Sequence, residues 1–325
     1  MHTVIGGNGS WFGGGGVSYL GVTQDPFSGT GITNGYHTNW TFAALAPGNL
    51  QFIGEVSAHE NGHGFGLNHQ GDSGIGGASN QEYSSNGGAN GNGSYAPIQG
   101  NSYSVQRGTW RTGNYFDSAD NVTSAQNDVE SFLNNSGMTI VDDGIGHSFD
   151  GATLLPLVGS SIDATLAQGF IVPLAPSTPK PLGIGNYSRD YFRFTMGGAG
   201  TVTLNLANGG DWITPGVAAP GATLRSKLNL YRSSDRVNPF AFGVEAANTL
   251  SSSFTGFLTS GEYFAEITSF GGYASTFDTN AKYFDMGSYV LSGTGILAPV
   301  VIPEAGTFAL VGVGIVGLIL RRRKK

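Results

Sequence analysis

The 325-residue sequence contains no cysteine, which excludes a disulfide framework, a thiolate metal site and a cysteine nucleophile. Charged residues are also scarce, at 11% of the chain. This low share excludes a charge-laced coiled coil and a polyelectrolyte disordered chain. Hydrophobic residues still make up 39% of the sequence, which is enough for a folded core. The 54 glycines favour short strands joined by many turns.

Positive charge is especially scarce outside the last five residues, which are all Arg or Lys. Ten Lys and Arg against 22 Asp and Glu give residues 1–320 a net charge of −12. A surface of this sign repels a phosphate backbone. We therefore expect no nucleic-acid partner.

The C-terminal segment is the most polarised part of the sequence. An uncharged apolar run at residues 306–320 lies between the sequence Val-Ile-Pro-Glu-Ala at 301–305 and the basic residues 321–325. The run predicts a short transmembrane helix, and the basic end is expected to stay on the cytoplasmic side.

Pro303, Glu304 and Ala305, followed by this apolar run and the arginines, resemble the PEP-CTERM sorting tail of Gram-negative bacteria. An exosortase recognises and processes the tail in that family. The resemblance therefore implies an exosortase partner and export to the cell surface or extracellular matrix. Ala305 stands where the family has proline. Residues 1–7 carry no basic or long apolar signal segment, so we expect the natural chain to begin further upstream.

Three of the six histidines fall in one short segment, in the pattern His59-Glu60-x-x-His63-x-x-Gly66-x-x-His69. On a helix, His59 and His63 share one face and can reach the same ion. Gly66 allows the chain to leave the helix in a left-handed conformation, and the turn brings His69 back as a third ligand. Three neutral imidazoles with an open fourth position predict one catalytic Zn²⁺ rather than a closed structural site.

The residue between the first two ligands supplies the predicted chemistry. Zinc activates a water molecule and polarises a carbonyl oxygen. Glu60 is placed to accept the proton of that water as general base and to pass it to a leaving amine. The sequence therefore predicts an exported zinc metalloendopeptidase that acts on a protein or peptide substrate.

The histidine motif resembles that of the metzincin zinc endopeptidases, over roughly residues 1–140. The resemblance implies that residues 16–22 form a strand lining the cleft and that Gln99 lies in the turn beneath the zinc. The family has methionine at that position. The resemblance also implies that Tyr103 reaches the zinc or stabilises an oxyanion. Gln70 stands where many relatives have an acid.

Two further readings stay open. Because Gln99 and Gln70 depart from the family pattern, the chain could instead be a weak or inactive surface- or matrix-binding protein that retains a metal site. A Ca²⁺ loop is conceivable at residues 70–95, where Asp72 and Glu82 are the acids, although so few acids favour a plain loop.

From residue 143 onward, every second residue is apolar in short runs that turn-forming residues separate, as at Val202, Leu204 and Leu206. This period predicts an antiparallel β-sandwich. The runs at 190–194, 200–204 and 261–267 resemble the bacterial pre-peptidase C-terminal domain, an accessory sandwich of secreted proteases. A cell-surface or matrix polysaccharide is a possible partner of such a domain.

The predicted fold class is α+β, in three parts. Residues 1–142 form a truncated metzincin-like catalytic domain, including a helix at 124–134. Residues 143–297 form the accessory β-sandwich. Residues 298–325 form the sorting tail with its transmembrane helix and basic end.

Overall fold

The fold is mostly β-sheet. The computed structural model describes residues 1–24, 37–71, 82–83, 89–90, 93–103, 105–116, 122–136, 142–172, 189–209, 222–245, 250–270, 273–274, 282–283 and 285–297. These residues form 22 strands and two α-helices, α1 (Leu50–Gly64) and α2 (Asp128–Ser136).

The predicted α+β class with a membrane helix is wrong. Only the 15 residues of α1 and the nine of α2 are α-helical in the described chain, because glycine and asparagine, both poor helix formers, are abundant between the strands. None of the described helices is long and apolar enough to cross a membrane. The run at 306–320 that suggested one lies outside the described residues, and it falls short of the roughly 20 residues that a spanning helix requires.

Among the described residues, the N-terminal half contains eight short strands and both helices. The strands are β1 (His2–Ile5), β2 (Gly16–Val17), β3 (Thr38–Thr41), β4 (Ala89–Asn90), β5 (Gly93–Pro97), β6 (Arg107–Thr109), β7 (Arg111–Phe116) and β8 (Val122–Asn127). β3 is the centre of a three-stranded sheet, parallel to β1 and antiparallel to β2. β5 pairs with β4 and β6 in a second small sheet. Helix α1 packs against β3, where Thr41 Oγ1 lies 3.0 Å from Ser57 Oγ.

The helix predicted at residues 124–134 is only partly present. Residues up to Asn127 belong to β8, which pairs antiparallel with β7, and α2 begins at Asp128. The Asn127 side chain accepts a hydrogen bond from the backbone N–H of Glu130 at 3.1 Å and so caps the helix. Pairing with β7 therefore overrides the local helical pattern before residue 128.

Fourteen strands lie in the described part of the C-terminal half. They are β9 (Thr153–Leu154), β10 (Leu157–Val158), β11 (Ser161–Ile162), β12 (Gln168–Ile171), β13 (Arg189–Met196), β14 (Gly200–Asn208), β15 (Ser226–Arg232), β16 (Ala241–Phe242), β17 (Val244–Glu245), β18 (Ser252–Leu258), β19 (Gly261–Ser269), β20 (Tyr273–Ala274), β21 (Lys282–Tyr283) and β22 (Gly287–Thr294). Two five-stranded sheets dominate, in the orders β12-β22-β14-β18-β17 and β16-β15-β19-β13-β9.

The two large sheets share one buried apolar core. Val202, Leu204 and Leu206 of β14 are fully buried, and they join Phe192 and Phe194 of β13 in the same cluster. Their alternation with more exposed neighbours is the period that the sequence shows. The antiparallel pairing predicted for this half is present in both sheets, and β9 adds one parallel edge to β13.

Strand pairing also crosses the predicted boundary between residues 142 and 143. The β20–β21 hairpin extends the β7–β8 sheet, with Lys282 opposite Thr112 and Tyr283 opposite Arg111. The guanidinium of Arg107 donates a hydrogen bond to the carbonyl oxygen of Ala222. The half of the chain that carries the three histidines and the sandwich are thus joined by a shared sheet as well as by the chain itself.

Candidate metal centre

Helix α1 places His59 and His63 one turn apart on the same face. The Nε2 atoms of His59 and His63 lie 3.0 Å apart, and Nε2 of His63 lies 3.0 Å from Nε2 of His69. The potential ligand atoms of all three residues fall within 4.8 Å of one another. The structure therefore brings together all three predicted zinc ligands at one point.

The end of α1 explains how His69 reaches that point. Phe65 ends the helix, and Gly66 has a φ of 89°, in the left-handed region that favours glycine. The N–H of Leu67 bonds the carbonyl of Gly62 at 3.0 Å, and the N–H of Gly66 bonds the carbonyl of His63 at 2.8 Å. This pair of bonds is a Schellman motif. It reverses the chain within a few residues and returns His69 to the open side of the helix.

The other ring nitrogen of each histidine faces a hydrogen-bond acceptor. Nδ1 of His59 lies 2.7 Å from the carbonyl oxygen of Ile98, and Nδ1 of His63 lies 2.7 Å from the carbonyl oxygen of Leu67. Nδ1 of His69 lies 2.6 Å from Glu82 Oε1. A carbonyl oxygen only accepts, so Nδ1 of His59 and His63 carries the proton. Their Nε2 lone pairs then point at the shared centre, which is the arrangement of a metal-ligating histidine.

Burial keeps the three rings neutral. Desolvation, followed by the proximity of the other histidines, lowers the pKa of His59 well below its usual value and that of His63 to about 4. Desolvation also lowers the pKa of His69, while Glu82 acts in the opposite direction. Neutral imidazole is the form that binds metal.

This donor set suits a zinc ion. Three lone pairs that converge without a cation repel one another, so the arrangement needs a positive charge at its centre. Tetrahedral nitrogen ligands at roughly 2.0–2.1 Å from zinc lie about 3.3 Å from each other. The 3.0 Å separations in this protein are close to that value. His59, His63 and His69 are therefore the residues that would hold the ion.

Glu60 lies at the floor of the same site and is 6% exposed. Desolvation raises the pKa of its carboxyl group to about 8. The backbone of Gly16 in β2 lies directly against this side chain. A Cβ atom at Gly16 would stand 2.7 Å from Glu60 Oε1 and 2.6 Å from the carbonyl oxygen of Trp40. Glycine is therefore required at position 16, a requirement that is visible only in three dimensions.

The three histidines and Glu60 open into a cavity of about 640 Å³. Residues 14–18 line this cavity, but the strand expected at residues 16–22 is limited to Gly16 and Val17, and Val22 begins a 3₁₀-helix. Glu82, Tyr83, Asn101 and Tyr103 also line the cavity. The volume lies within the range of ordinary small-ligand and substrate pockets.

Two tyrosines flank the metal centre. The ring of Tyr103 lies 6.3 Å from that of His59 and 5.5 Å from that of Phe52. Desolvation, followed by the charge of Glu60, raises the pKa of Tyr103. The ring of Tyr83, which the sequence did not single out, lies closer to the ligands, at 4.3 Å from His69.

Gln99 lies beneath α1 and is fully buried. Its Nε2 donates a hydrogen bond to the carbonyl oxygen of His59 at 2.8 Å. The turn around it is closed by the N–H of Gly100 and the carbonyl of Pro97 at 2.9 Å. The side chain also occupies the space that a Cβ atom at Gly62 would need. Gln99 therefore ties the turn to the helix that carries the first ligand.

Gln70 belongs to a buried polar network behind the third ligand. Its Nε2 donates to Asp128 Oδ1 at 2.9 Å, and its Oε1 accepts from Arg111 Nε at 2.6 Å. Arg111 is fully buried, and its backbone N–H donates to Asp128 Oδ2 at 3.0 Å. Desolvation raises the pKa of Asp128 to about 6, although its hydrogen bonds lower it. The glutamine fixes the chain just after His69.

Asp72, which the sequence offered for calcium, lies outside the described residues, as do Pro303, Glu304 and Ala305. Glu82 is described, and its carboxylate faces His69.

Residues 301–324 match the PEP-CTERM protein-sorting motif. The match confirms the sorting tail predicted there. An exosortase recognises this motif, which is consistent with the predicted exosortase partner. The chain is an exported protein that is anchored or sorted to the cell surface of a Gram-negative bacterium, as the sequence predicted.

Two solved structures are similar to parts of the chain. The pre-peptidase C-terminal domain of a collagenase from Bacillus anthracis is 16% identical, with 44% of this chain and 93% of that domain covered and a TM-score of 0.26. PliG from Aeromonas hydrophila, a periplasmic inhibitor of g-type lysozyme, is 12% identical, with 44% of this chain and 95% of PliG covered and a TM-score of 0.23. Neither likeness carries an argument about function at these TM-scores. No curated protein matches the chain.

Proposed function

We propose that this exported protein is a zinc-dependent endopeptidase. The observation that carries the proposal is the convergence of the Nε2 atoms of His59, His63 and His69, with 3.0 Å between neighbours. Each ring has a hydrogen-bond partner at Nδ1, which fixes the direction of its Nε2 lone pair. Three imidazoles leave a fourth position open, which is typical of catalytic rather than structural zinc.

Zinc in this site would activate a water molecule and polarise the carbonyl group of a substrate. Burial alone favours the protonated form of Glu60, and the positive charge of a bound zinc ion would favour the ionised form. The Glu60 carboxylate then accepts the proton of the water and delivers it to the amine that leaves. The carboxylate reaches this position because Glu60 follows His59 on α1 and Gly16 leaves room beside it. Tyr103, on the cavity wall, donates a hydrogen bond to the oxygen on which negative charge develops.

The cavity wall suits an extended peptide. In the part of the chain that the structure describes, β2 pairs with β3 alone and is an edge strand, and residues 14–18 around it line the cavity. An edge strand can add a substrate strand through main-chain hydrogen bonds. Phe12 and Leu20 line the same cavity and are more than half exposed, so they offer an apolar surface to a substrate side chain.

The motif His59-Glu60-x-x-His63-x-x-Gly66-x-x-His69 and its turn resemble those of the metzincins. We propose a relationship on the strength of this zinc-binding segment alone, since the fold is mostly β-sheet rather than the α+β domain expected from that family.

Casein hydrolysis by the full chain, loaded with one equivalent of zinc, tests the proposal. Glu60→Gln is expected to abolish hydrolysis and to leave zinc content unchanged, because the side chain keeps its shape but loses its basicity. Asp150→Asn, at a carboxylate 92% exposed in the sandwich half, is the matched control and should hydrolyse like the unmodified protein. Undiminished hydrolysis by Glu60→Gln would contradict the assigned role. A zinc-bound chain that cleaves nothing would instead be the metal-retaining binding protein.

A further inference from the structure

The third ligand is held differently from the other two. The Nδ1 atoms of His59 and His63 meet main-chain carbonyls, which the neighbouring backbone fixes in place. His69 lies after the end of the helix, and its Nδ1 lies 2.6 Å from the carboxylate oxygen of Glu82. Glu82 is thirteen positions further along the chain. The short separation is typical of a charge-assisted hydrogen bond.

The ring of His69 depends on residues 82 and 83 for its orientation. A histidine outside a helix can rotate about both of its side-chain torsions. Glu82 restrains the edge of the ring through Nδ1, and the Tyr83 ring packs on it with centroids 4.3 Å apart. These two contacts aim Nε2 at the partner nitrogens on α1.

The carboxylate also adjusts the charge of the site. Three neutral imidazoles leave the two positive charges of a zinc ion uncompensated. A carboxylate on the far side of one ligand makes that imidazole more basic and offsets part of the positive charge, without occupying a coordination position. Both residues line the cavity, and the Glu82 side chain is 47% exposed and that of His69 21% exposed, so solvent reaches the pair.

We propose that Glu82 is the positioning residue of the third zinc ligand and that its carboxylate sets the affinity of the site for the ion. This inference rests on the proposed zinc site. It assigns to Glu82 a role in holding His69, whereas the sequence offered the same acid only for a calcium loop.

The test compares zinc affinity in variants of the full chain, by competition with a chromophoric chelator at one fixed pH. Glu82→Ala removes the acceptor and is expected to weaken zinc binding by about 10- to 100-fold. Glu82→Gln keeps an oxygen that can accept the Nδ1 proton but removes the charge, so its affinity should fall between those of Glu82→Ala and the unmodified chain. Asp150→Asn again serves as the control, since it removes an exposed carboxylate that accepts from Arg236 at 2.7 Å, outside the metal centre.

A spectroscopic readout separates this role from a general loss of stability. With cobalt in place of zinc, the visible absorption bands report the ligands directly. They should shift in both Glu82 variants and stay unchanged in Asp150→Asn.

The inference is overturned if Glu82→Ala binds zinc within twofold of the unmodified chain, or if its cobalt spectrum is unchanged. In that case the unmodified protein would still bind zinc, and the proposed function would stand. An unmodified chain that fails to bind zinc would overturn both.

Discussion

Nε2 of His69 lies 3.0 Å from Nε2 of His63, although a helix end and a chain reversal separate the two residues. The reversal depends on Gly66, whose φ of 89° places it where side chains with a Cβ atom are strained. The metal centre therefore rests on one backbone conformation as much as on its ligands.

Gly66→Ala is expected to destabilise the protein by about 1–2 kcal/mol, because alanine is strained in the left-handed region. Zinc affinity should fall as well, since the turn delivers His69. Thermal unfolding and a zinc titration measure the two effects. Gly54→Ala is the matched control: this glycine lies inside α1 with open space where a Cβ atom would stand, so alanine should stabilise the helix by up to about 1 kcal/mol. Equal behaviour of the two variants would contradict this account of the turn.

Gly16→Ala should lower the turnover number by about 10- to 100-fold and leave bound zinc in place, because the added methyl meets the Glu60 side chain and the carbonyl oxygen of Trp40 but no histidine. Gly54→Ala provides the comparison. This glycine lies in α1 outside the cavity lining, with open space where a Cβ atom would stand, so hydrolysis should be little changed. Full activity in Gly16→Ala would show that Glu60 tolerates displacement or has no part in the reaction.

Gln99→Met restores the residue expected from the metzincin resemblance. The structure predicts a loss of about 1 kcal/mol of stability and no gain in hydrolysis, since methionine cannot donate the hydrogen bond that Gln99 gives to the carbonyl of His59. Melting temperature and casein hydrolysis are the measurements. Increased hydrolysis would mean that glutamine weakens the site, as the sequence alone suggested.

Glu266 is expected to make the stability of the sandwich depend on pH. Burial would raise its pKa, but hydrogen bonds from Asn229, Tyr191 and Tyr231, together with Arg189, lower it below the usual value of 4.5. A lowered folded-state pKa means that the ionised group stabilises the fold above about pH 4.5, and that this stability is lost as the pH falls through the folded-state pKa. The melting temperature of the unmodified chain should therefore exceed that of Glu266→Gln at pH 7, and the difference should shrink below pH 4.5. A constant difference would contradict this assignment.

The local part of the metal centre could be predicted from the sequence because it follows from helix geometry. The spacing of His59 and His63 places both rings on one face, and the glycine at 66 matches a left-handed turn. The partners at Nδ1 could not be found in this way. Main-chain acceptors such as the carbonyl of Ile98 have no sequence signature, and Glu82 lies thirteen residues beyond the ring it holds.

The same distinction applies to the fold. Alternating apolar residues predicted the strands of the sandwich, because the period of two is local. The helix was expected to begin at residue 124, which is too early, because Gln126 and Asn127 pair with Gly113 and Thr112 of β7. No local sequence pattern reports that partner. The close approach of Gly16 to Glu60 is likewise a contact between segments distant in the chain.

X-ray absorption at the zinc edge of the purified full chain tests the central claim most directly. The account predicts one zinc ion per chain with three nitrogen ligands at roughly 2.0–2.1 Å, and a loss of that signal in His63→Ala. A chain that takes up no zinc, or one whose zinc has only oxygen ligands and is unaffected by His63→Ala, would contradict it.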